Sequence, residues 1–142
     1  MSDRLVCEFT VPGRAVPERK RQVPPRGAFR GARVDTEDAK AYKALVKLAA
    51  AQAMGGSPPA DGPLRLEWRE HRRRASGYRK RDIYPTKRPD CTNLQKLLED
   101  AMTGVVWQDD SQVCVQLGAK VFDDGPGPRV RVEVRALEAD TP

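Results

Sequence analysis

The chain has 142 residues, enough for one domain with its own hydrophobic core and too few for two ordinary domains. It carries 26 Lys and Arg against 20 Asp and Glu, a net charge of +6, so nucleic acid is the expected partner and an anionic membrane surface is the weaker alternative. No apolar run is long enough to span a bilayer and the first residues lack a secretory signal, which excludes a membrane-spanning protein and predicts a cytoplasmic one.

Leu5 to Val11 alternate apolar and polar side chains, which predicts a half-buried strand. The segment that follows, at about 12–35, combines several prolines with many arginines and cannot form a helix. We interpret it as a mobile basic loop that orders on contact with DNA, with a solvated connection as the alternative. Its candidate DNA-binding residues are Arg19, Lys20 and Arg21.

A helix is predicted from a cap at Asp35 or Thr36 to about Met54, with an apolar stripe towards the core and a basic outer face. Leu64 to Glu70 then alternate as a strand with one buried face.

A second basic run follows at 71–88, with two tyrosines among its cations. Aromatic rings among arginines can stack on unpaired bases, so the run suits branched DNA, whereas a merely soluble charged loop is the alternative. Its candidate DNA-binding residues are Arg72, Arg73, Arg74, Arg79, Lys80, Arg81, Lys87 and Arg88.

The last third of the chain predicts a helix at about 93–103 and two strands. Thr92 and Gln95 have the spacing of a capping box, and a DDGPGP turn between strands at 112–122 and 129–137 predicts an antiparallel hairpin. Cys114 lies in the first of these strands and is expected to be buried and reduced. The order β-α-β-α-β-β predicts a single α+β (mixed α/β) domain over residues 1–142, with two helices on one face of a sheet of about four strands.

Acidic residues and a lysine lie just before, along and just beyond this helix: Asp90, Lys96, Asp100, Asp109 and Asp110. Carboxylates that face phosphates repel them unless a divalent cation lies between, so acids inside a basic surface are typical of a metal-dependent nuclease. Two or three such oxygens, with waters and a phosphate oxygen, would complete an octahedral magnesium shell. Judged by residue type alone, each of these residues also has a structural alternative to catalysis. Asp90 could cap the helix, Asp109 and Asp110 could form a turn, and Lys96 could pair with Asp100 on the surface.

The residues PDCTNLQK at 89–96, EDAMTGVVWQDDSQV at 99–113 and Lys120 resemble the RusA family of Holliday-junction resolvases. The signature of that family is an acidic DxDN-L-x-K helix start, a D-A-[LM] step and a W-x-DDxQV segment; the match covers 88–121, roughly a quarter of the chain. The resemblance implies a homodimeric endonuclease that uses Mg²⁺, or Mn²⁺ in its place, to cut four-way or other branched DNA with paired symmetric nicks. Such an enzyme works in the cytoplasm of a bacterial or phage-infected cell.

By matching positions, the resemblance implies that Asp90 and Asp110 are catalytic metal ligands and that Asp109 is a weaker ligand. Lys96 matches the lysine of the motif, and it could donate to the scissile phosphate or to the leaving oxygen.

Thr92 departs from the family pattern, because the motif has its second aspartate there. A threonine hydroxyl is neutral and a poor magnesium ligand. Three outcomes follow: water or Asp109 replaces the lost oxygen ligand, the enzyme works only at a raised metal concentration, or catalysis has lapsed and junction binding remains. Asn93 and Asp100 would support the site, and Lys120 is a basic match on the strand that follows.

Two other functions remain open at this point. A non-catalytic junction- or DNA-binding protein with an impaired metal site explains the charge and the tyrosines equally well, and Thr92 favours it. An RNA-binding scaffold has only the positive charge in its favour.

Overall fold

The structure, a computed structural model, describes residues 2–17, 20–22, 33–74, 77–79, 81–123 and 125–138. The secondary structure elements in chain order are β1 Ser2–Pro12, β2 Lys20–Gln22, β3 Arg33–Asp35, α1 Glu37–Met54, β4 Leu64–Arg72, α2 Cys91–Met102, β5 Val113–Phe122 and β6 Arg129–Glu138. The predicted α+β class and its order of main elements are confirmed. The short strands β2 and β3 form a separate antiparallel pair within the predicted basic loop, half of which lies outside the described residues.

The main sheet has the strand order β1-β6-β4-β5. Strand β6 is antiparallel to both β1 and β4, whereas β5 is parallel to β4. The predicted hairpin of the last two strands is therefore wrong, because β4 lies between them. The reason is the crossover through α2, which returns the chain to the start of β4. Strand β5 therefore runs parallel to β4 on one side of it. Strand β6 pairs with β4 on the other side, between β4 and β1.

Helix α1 begins and ends as the sequence predicts. The Thr36 side chain accepts a hydrogen bond from the Ala39 amide, and Gly55 ends the helix in the left-handed conformation that glycine adopts most easily. The outer face is less basic than predicted, because Leu45 and Leu48 are 53% and 56% exposed there.

The core lies between the helices and one face of the sheet. Leu64, Leu66 and Trp68 of β4 point inwards, as predicted, and join the inward residues of β1 and β6 and the apolar stripes of α1 and α2 in one cluster. The opposite face of the sheet carries charged side chains, such as the ion pair of Arg135 with Glu133 (2.6 Å). Both helices therefore pack on one face.

Strand β5 is an edge of the main sheet and is poorly covered. Cys114 is exposed rather than buried as the sequence suggested, and its neighbours Val115 and Leu117 are 36% and 50% exposed. Alternation along a strand predicts burial only where another layer covers that strand. Helix α2 covers little of β5, so the apolar residues of β5 stay exposed.

Candidate functional site

The end of β4 carries a buried acid. Glu70 continues the inward phase of Leu64, Leu66 and Trp68, and only 4% of its surface is exposed. Both its oxygens accept hydrogen bonds from Arg72, from Nη2 at 2.8 Å and from Nε at 3.1 Å. A carboxylate tolerates such burial only when it is paired in this way. The sequence signal for this residue is an acid in phase with the buried face of the strand.

The same guanidinium holds the loop that leads to Asp90. Arg72 Nη1 donates to the carbonyl oxygens of Lys87 (2.9 Å) and Arg88 (3.2 Å), and its Nη2 donates to that of Pro89 (3.3 Å). Lys120 on the adjacent strand donates to the carbonyls of Lys87 (3.0 Å) and Pro89 (3.4 Å). Two cations therefore fix the 87–89 loop, and a direct DNA contact by Arg72 or Lys120 stays a prediction.

Asp90 is the N-cap residue of α2, and its side chain is exposed. Its carboxylate accepts no capping hydrogen bond from the first turn of the helix, all of which is among the described residues. The predicted cap at Thr92 is wrong, because the helix begins at Cys91 and Thr92 lies inside the first turn. Gln95, the expected capping partner, instead accepts a hydrogen bond from Trp68 Nε1 and donates to Glu99 (2.7 Å).

The other predicted residues of α2 share its exposed face. Asn93, Lys96 and Asp100 are all exposed, at the helical spacing that places them on one side. Asp100 approaches Lys43 of α1 at 3.6 Å, and the same ammonium group lies 3.0 Å from Asp35. Asp100 therefore links the two helices, and its supporting role at the site stays a prediction.

Asp109 and Asp110 lie in a short 3₁₀ turn, Asp110–Gln112, directly before β5. Asp109 forms a capping box with Gln112 and accepts a hydrogen bond from the Ser111 amide (2.9 Å), which lowers the pKa of its carboxyl group below the usual value. Gln112 also donates to the carbonyls of Ala60 (2.9 Å) and Gly62 (3.0 Å), so the turn is fixed at the start of β4.

Asp90 and Asp110 consequently lie at opposite ends of α2 within one copy of the chain. The helix has 12 residues, which span about 18 Å at 1.5 Å per residue. The 87–89 loop is held at the end of β4 and β5, whereas the 3₁₀ turn meets the strands where Leu64 pairs with Val113. Among the described residues, no three His, Cys, Asp or Glu side chains form a group that could hold a metal ion. The magnesium ligand set of Asp90, Asp110 and Asp109 therefore stays a prediction.

Glu99 is an acid near Asp110 that the sequence analysis did not single out. Its pKa is raised, first by burial and then by the nearby charges of Asp110 and Asp100, while hydrogen bonds from Gln95 and Gln116 act in the opposite direction. Its spacing of four residues from Gln95 was the available signal.

A basic cavity lies beside the 87–89 loop, with a volume of about 510 Å³. Five of its nine lining residues are arginines, and Glu70 lies at its wall. The lining residues are Arg14, Ala15, Glu70, Arg72, Arg73, Arg74, Arg88, Pro89 and Pro128.

The remaining predicted DNA-binding residues differ in how they are held. Arg73, Arg79, Arg81, Lys87 and Arg88 are exposed. Arg74 lies over the Phe122 ring (4.9 Å) and donates to the carbonyls of Arg79 and Asp82, so it has a structural role. Arg19 and Lys80 lie outside the described residues, as do the side chains of Lys20 and Arg21.

The two tyrosines of this basic region are placed differently. The Tyr78 ring packs on Phe122, with a centroid distance of 4.6 Å, and lies beneath Lys87. Tyr84 is 66% exposed, as a residue that stacks on an unpaired base must be.

Comparison with known proteins gives two matches. A family model described as endodeoxyribonuclease RusA matches residues 12–135. An uncharacterized protein of Bacillus subtilis (strain 168), YqaN, is 29% identical over 145 aligned positions, which cover 93% of this chain and 97% of that protein. No helix within the described residues is long and apolar enough to cross a membrane.

Proposed function

The chain belongs to the endodeoxyribonuclease RusA family, and on that premise we propose that it is a metal-dependent endonuclease that resolves Holliday junctions and other branched DNA by paired symmetric phosphodiester hydrolysis. The observation that carries the proposal is the family match over most of the chain. Magnesium is the proposed cofactor, with manganese as a substitute ion, and the cytoplasm of a bacterial or phage-infected cell is the proposed location.

The arginine-lined cavity supports DNA binding next to Asp90. Arg73 and Arg88 line it and are exposed, so phosphates can reach them. Cations placed in this way neutralise phosphates and release counterions, so binding should weaken steeply with salt. The exposed Tyr84 offers a ring for a base at an opened junction.

The proposed catalytic residues are Asp90, Asp110 and Lys96, with Asp109 as a further ligand. Their carboxylates need a divalent cation between them and a phosphate, which is the reason for including magnesium. Asp90 precedes α2 and Asp110 follows it, so no hydrolytic step is assigned to a single copy. We therefore include a homodimer in the proposal, which also matches the two-fold symmetry of a four-way junction.

Thr92 keeps a second function under consideration. The family motif has an acid at this position, and the exposed Thr92 side chain supplies only a neutral hydroxyl. A junction-binding protein without cleavage is the function that this substitution favours.

Cleavage of an end-labelled, immobile four-way junction, beside linear duplex of the same sequence, separates the two functions. The expected result is paired nicks in the junction with magnesium or manganese and none with chelator. Asp90→Asn and Asp110→Asn should each abolish cleavage and retain binding, whereas Asp38→Asn at the exposed start of α1 should change neither. Binding without cleavage at any metal concentration would establish the junction-binding protein instead.

A further inference from the structure

Two neighbouring apolar side chains are exposed in the loop between β4 and α2. Ile83 is 56% exposed and Tyr84 is 66% exposed, and among the exposed large apolar residues of the described chain only these two are sequence neighbours. The exposed cations nearest to them in sequence are Arg79, Arg81, Lys87 and Arg88. Positive charge on both sides attracts a polyanion, so nucleic acid is the partner that this pair is placed to meet.

The backbone that leads into the pair is fixed by a turn. The Arg79 amide donates to the Asp82 carboxylate (2.8 Å), and the Asp82 amide donates back to the Arg79 carbonyl (2.9 Å). The Arg74 guanidinium donates to the carbonyls of both residues. Hydrogen bonds from backbone and side chains at both ends of a turn favour a single conformation.

The pair itself is attached to the main sheet. The Ile83 carbonyl accepts a hydrogen bond from the Phe122 amide (2.8 Å) at the end of β5, and Pro85 on the other side of the pair is buried. A proline also restricts the backbone of the residue before it, which here is Tyr84. An exposed apolar pair on an anchored backbone loses little conformational freedom when a ligand covers it, which favours binding.

The pair lies close to the loop that leads to Asp90. Lys120 donates to the Lys87 carbonyl (3.0 Å), and Phe122, which binds Ile83, lies two residues further along β5. Two residues of a strand span about 7 Å. The Ile83–Tyr84 pair and the arginine-lined cavity beside the 87–89 loop therefore face the same stretch of DNA.

We propose that Ile83 and Tyr84 form a wedge that inserts at the branch point of a DNA junction and holds its innermost base pairs apart. This step rests on the proposed function, because it needs branched DNA as the substrate. The Tyr84 ring stacks on a base at the branch point, and Ile83 fills the space beside it, as apolar residues do when they separate base steps. The flanking arginines neutralise the phosphates on either side.

A wedge distinguishes a branch point from linear duplex by the energy of unstacking. In a continuous duplex every base pair is stacked on both faces, so insertion must separate two pairs and lose their stacking. The innermost pairs of a junction lack a continuous neighbour on one side, so the ring gains stacking at a lower cost. The pair therefore sets the preference for branched DNA and takes no part in hydrolysis.

The affinities for a four-way junction and for linear duplex test the wedge. Fluorescence anisotropy in chelator gives both values of Kd with no strand cut. Tyr84→Ala should raise the Kd for the junction about tenfold and leave the Kd for duplex unchanged, because only the junction loses a stacked base. Tyr84→Phe should bind both DNAs as the natural chain does, since the ring is kept.

Ile83→Ala has a matched control in Leu48→Ala. Leu48 is an aliphatic side chain of the same exposure, 56%, but it lies on α1. The Ile83 variant should weaken junction binding and the Leu48 variant should not. Equal affinities of these two variants for the junction would show that Ile83 is not part of a wedge.

A second measurement reports on the base pairs themselves. Permanganate oxidises thymines that are not stacked, so thymines of the innermost pairs should react faster when the natural chain or Tyr84→Phe is bound. Saturating Tyr84→Ala should leave them close to their reactivity in the free junction. Equal reactivity with all three proteins at saturation would overturn the wedge.

The remaining outcomes separate the wedge from other roles of the pair. Equal weakening of junction and duplex binding in Tyr84→Ala would overturn the proposal, as would a loss in Tyr84→Phe as large as that in Tyr84→Ala. Tighter binding to phosphatidylglycerol vesicles than to the junction would assign the pair to a membrane surface instead. If the natural chain binds junctions without cleaving them at any metal concentration, the hydrolytic function fails, while the values of Kd still decide the wedge.

Discussion

The guanidinium of Arg72 binds both carboxylate oxygens of Glu70 and, on its other side, the carbonyls of the 87–89 loop. The pair connects the buried core of β4 to the loop before Asp90. A residue predicted from charge alone to contact DNA therefore has well-defined protein partners.

Glu70→Gln should lower the free energy of unfolding by roughly 2–3 kcal/mol, because the partly buried Arg72 loses its charged acceptor. Glu133→Gln is the matched control, since Glu133 pairs with Arg135 at the same spacing but on the more open face of the sheet. This control should cost less than about 1 kcal/mol. Urea unfolding of both variants gives the comparison, and equal losses would show that burial of Glu70 adds nothing.

Lys120→Met should loosen the 87–89 loop, because two carbonyls lose a cationic donor. A net loss of about 1 kcal/mol corresponds to roughly fivefold more frequent opening. Limited trypsin digestion, with fragments identified by mass spectrometry, should show faster cleavage after Lys87. Lys47→Met on the exposed face of α1 is the control, and an unchanged rate in the Lys120 variant would contradict the role of the loop contacts.

Glu99→Gln should reduce the dependence of stability on pH. The pKa of Glu99 is raised in the folded chain, mainly by burial, so the folded state binds its proton more tightly than the unfolded state does. Stability from this group is therefore present below the usual glutamate pKa and is lost as pH rises through the raised value. Urea midpoints from about pH 4 to pH 7 should fall less in this variant than in Glu8→Gln, an exposed acid on β1. An identical slope in both would contradict the prediction.

Gly118→Ala should destabilise the fold by about 1–3 kcal/mol, because a Cβ atom at this position would come within 2.3 Å of the Trp68 ring. Trp68→Phe offers the compensating change, since the smaller ring vacates that space. The double variant should lose less than the sum of the single variants in thermal unfolding. If the losses of stability in the two single variants simply add in the double variant, the Trp68 ring is not the group that a side chain at position 118 disturbs.

Thr92→Asp restores the acid of the family motif next to Asp90. The added anionic oxygen should lower the magnesium concentration for half-maximal junction cleavage by about tenfold. Thr92→Asn has a similar shape without the charge and should leave the requirement unchanged. If the aspartate variant needs more metal than the natural chain, position 92 does not take part in binding magnesium.

Most of the fold could be predicted from periodicity and local chemistry. Thr36 and Gly55 bound α1 because caps act within a few residues, and β4 follows the alternation of Leu64, Leu66 and Trp68. The hairpin prediction was wrong because the DDGPGP turn shows only that the chain reverses between β5 and β6. The crossover through α2 decides that β4, and not β6, is the strand next to β5.

The candidate site was harder to predict than the fold. The sequence identifies which acids and cations are present, yet it cannot show that α2 holds Asp90 and Asp110 apart or that Arg72 and Lys120 donate to carbonyls. These outcomes depend on which elements end near each other in three dimensions. Thr92 shows the same limit on a smaller scale, because the helix begins two residues earlier than the spacing of Thr92 and Gln95 indicated.

Strand β1 forms one edge of the main sheet and is poorly suited to pair with another chain. It carries the charged residues Asp3, Arg4 and Glu8, and Pro12 at its end has no amide hydrogen to donate. The displaced register at Leu5 and Cys7 breaks the regular spacing of its backbone groups. The sheet can therefore leave the apolar strand β5 exposed at its other edge without offering the two regular edges that growth into an open-ended fibre requires.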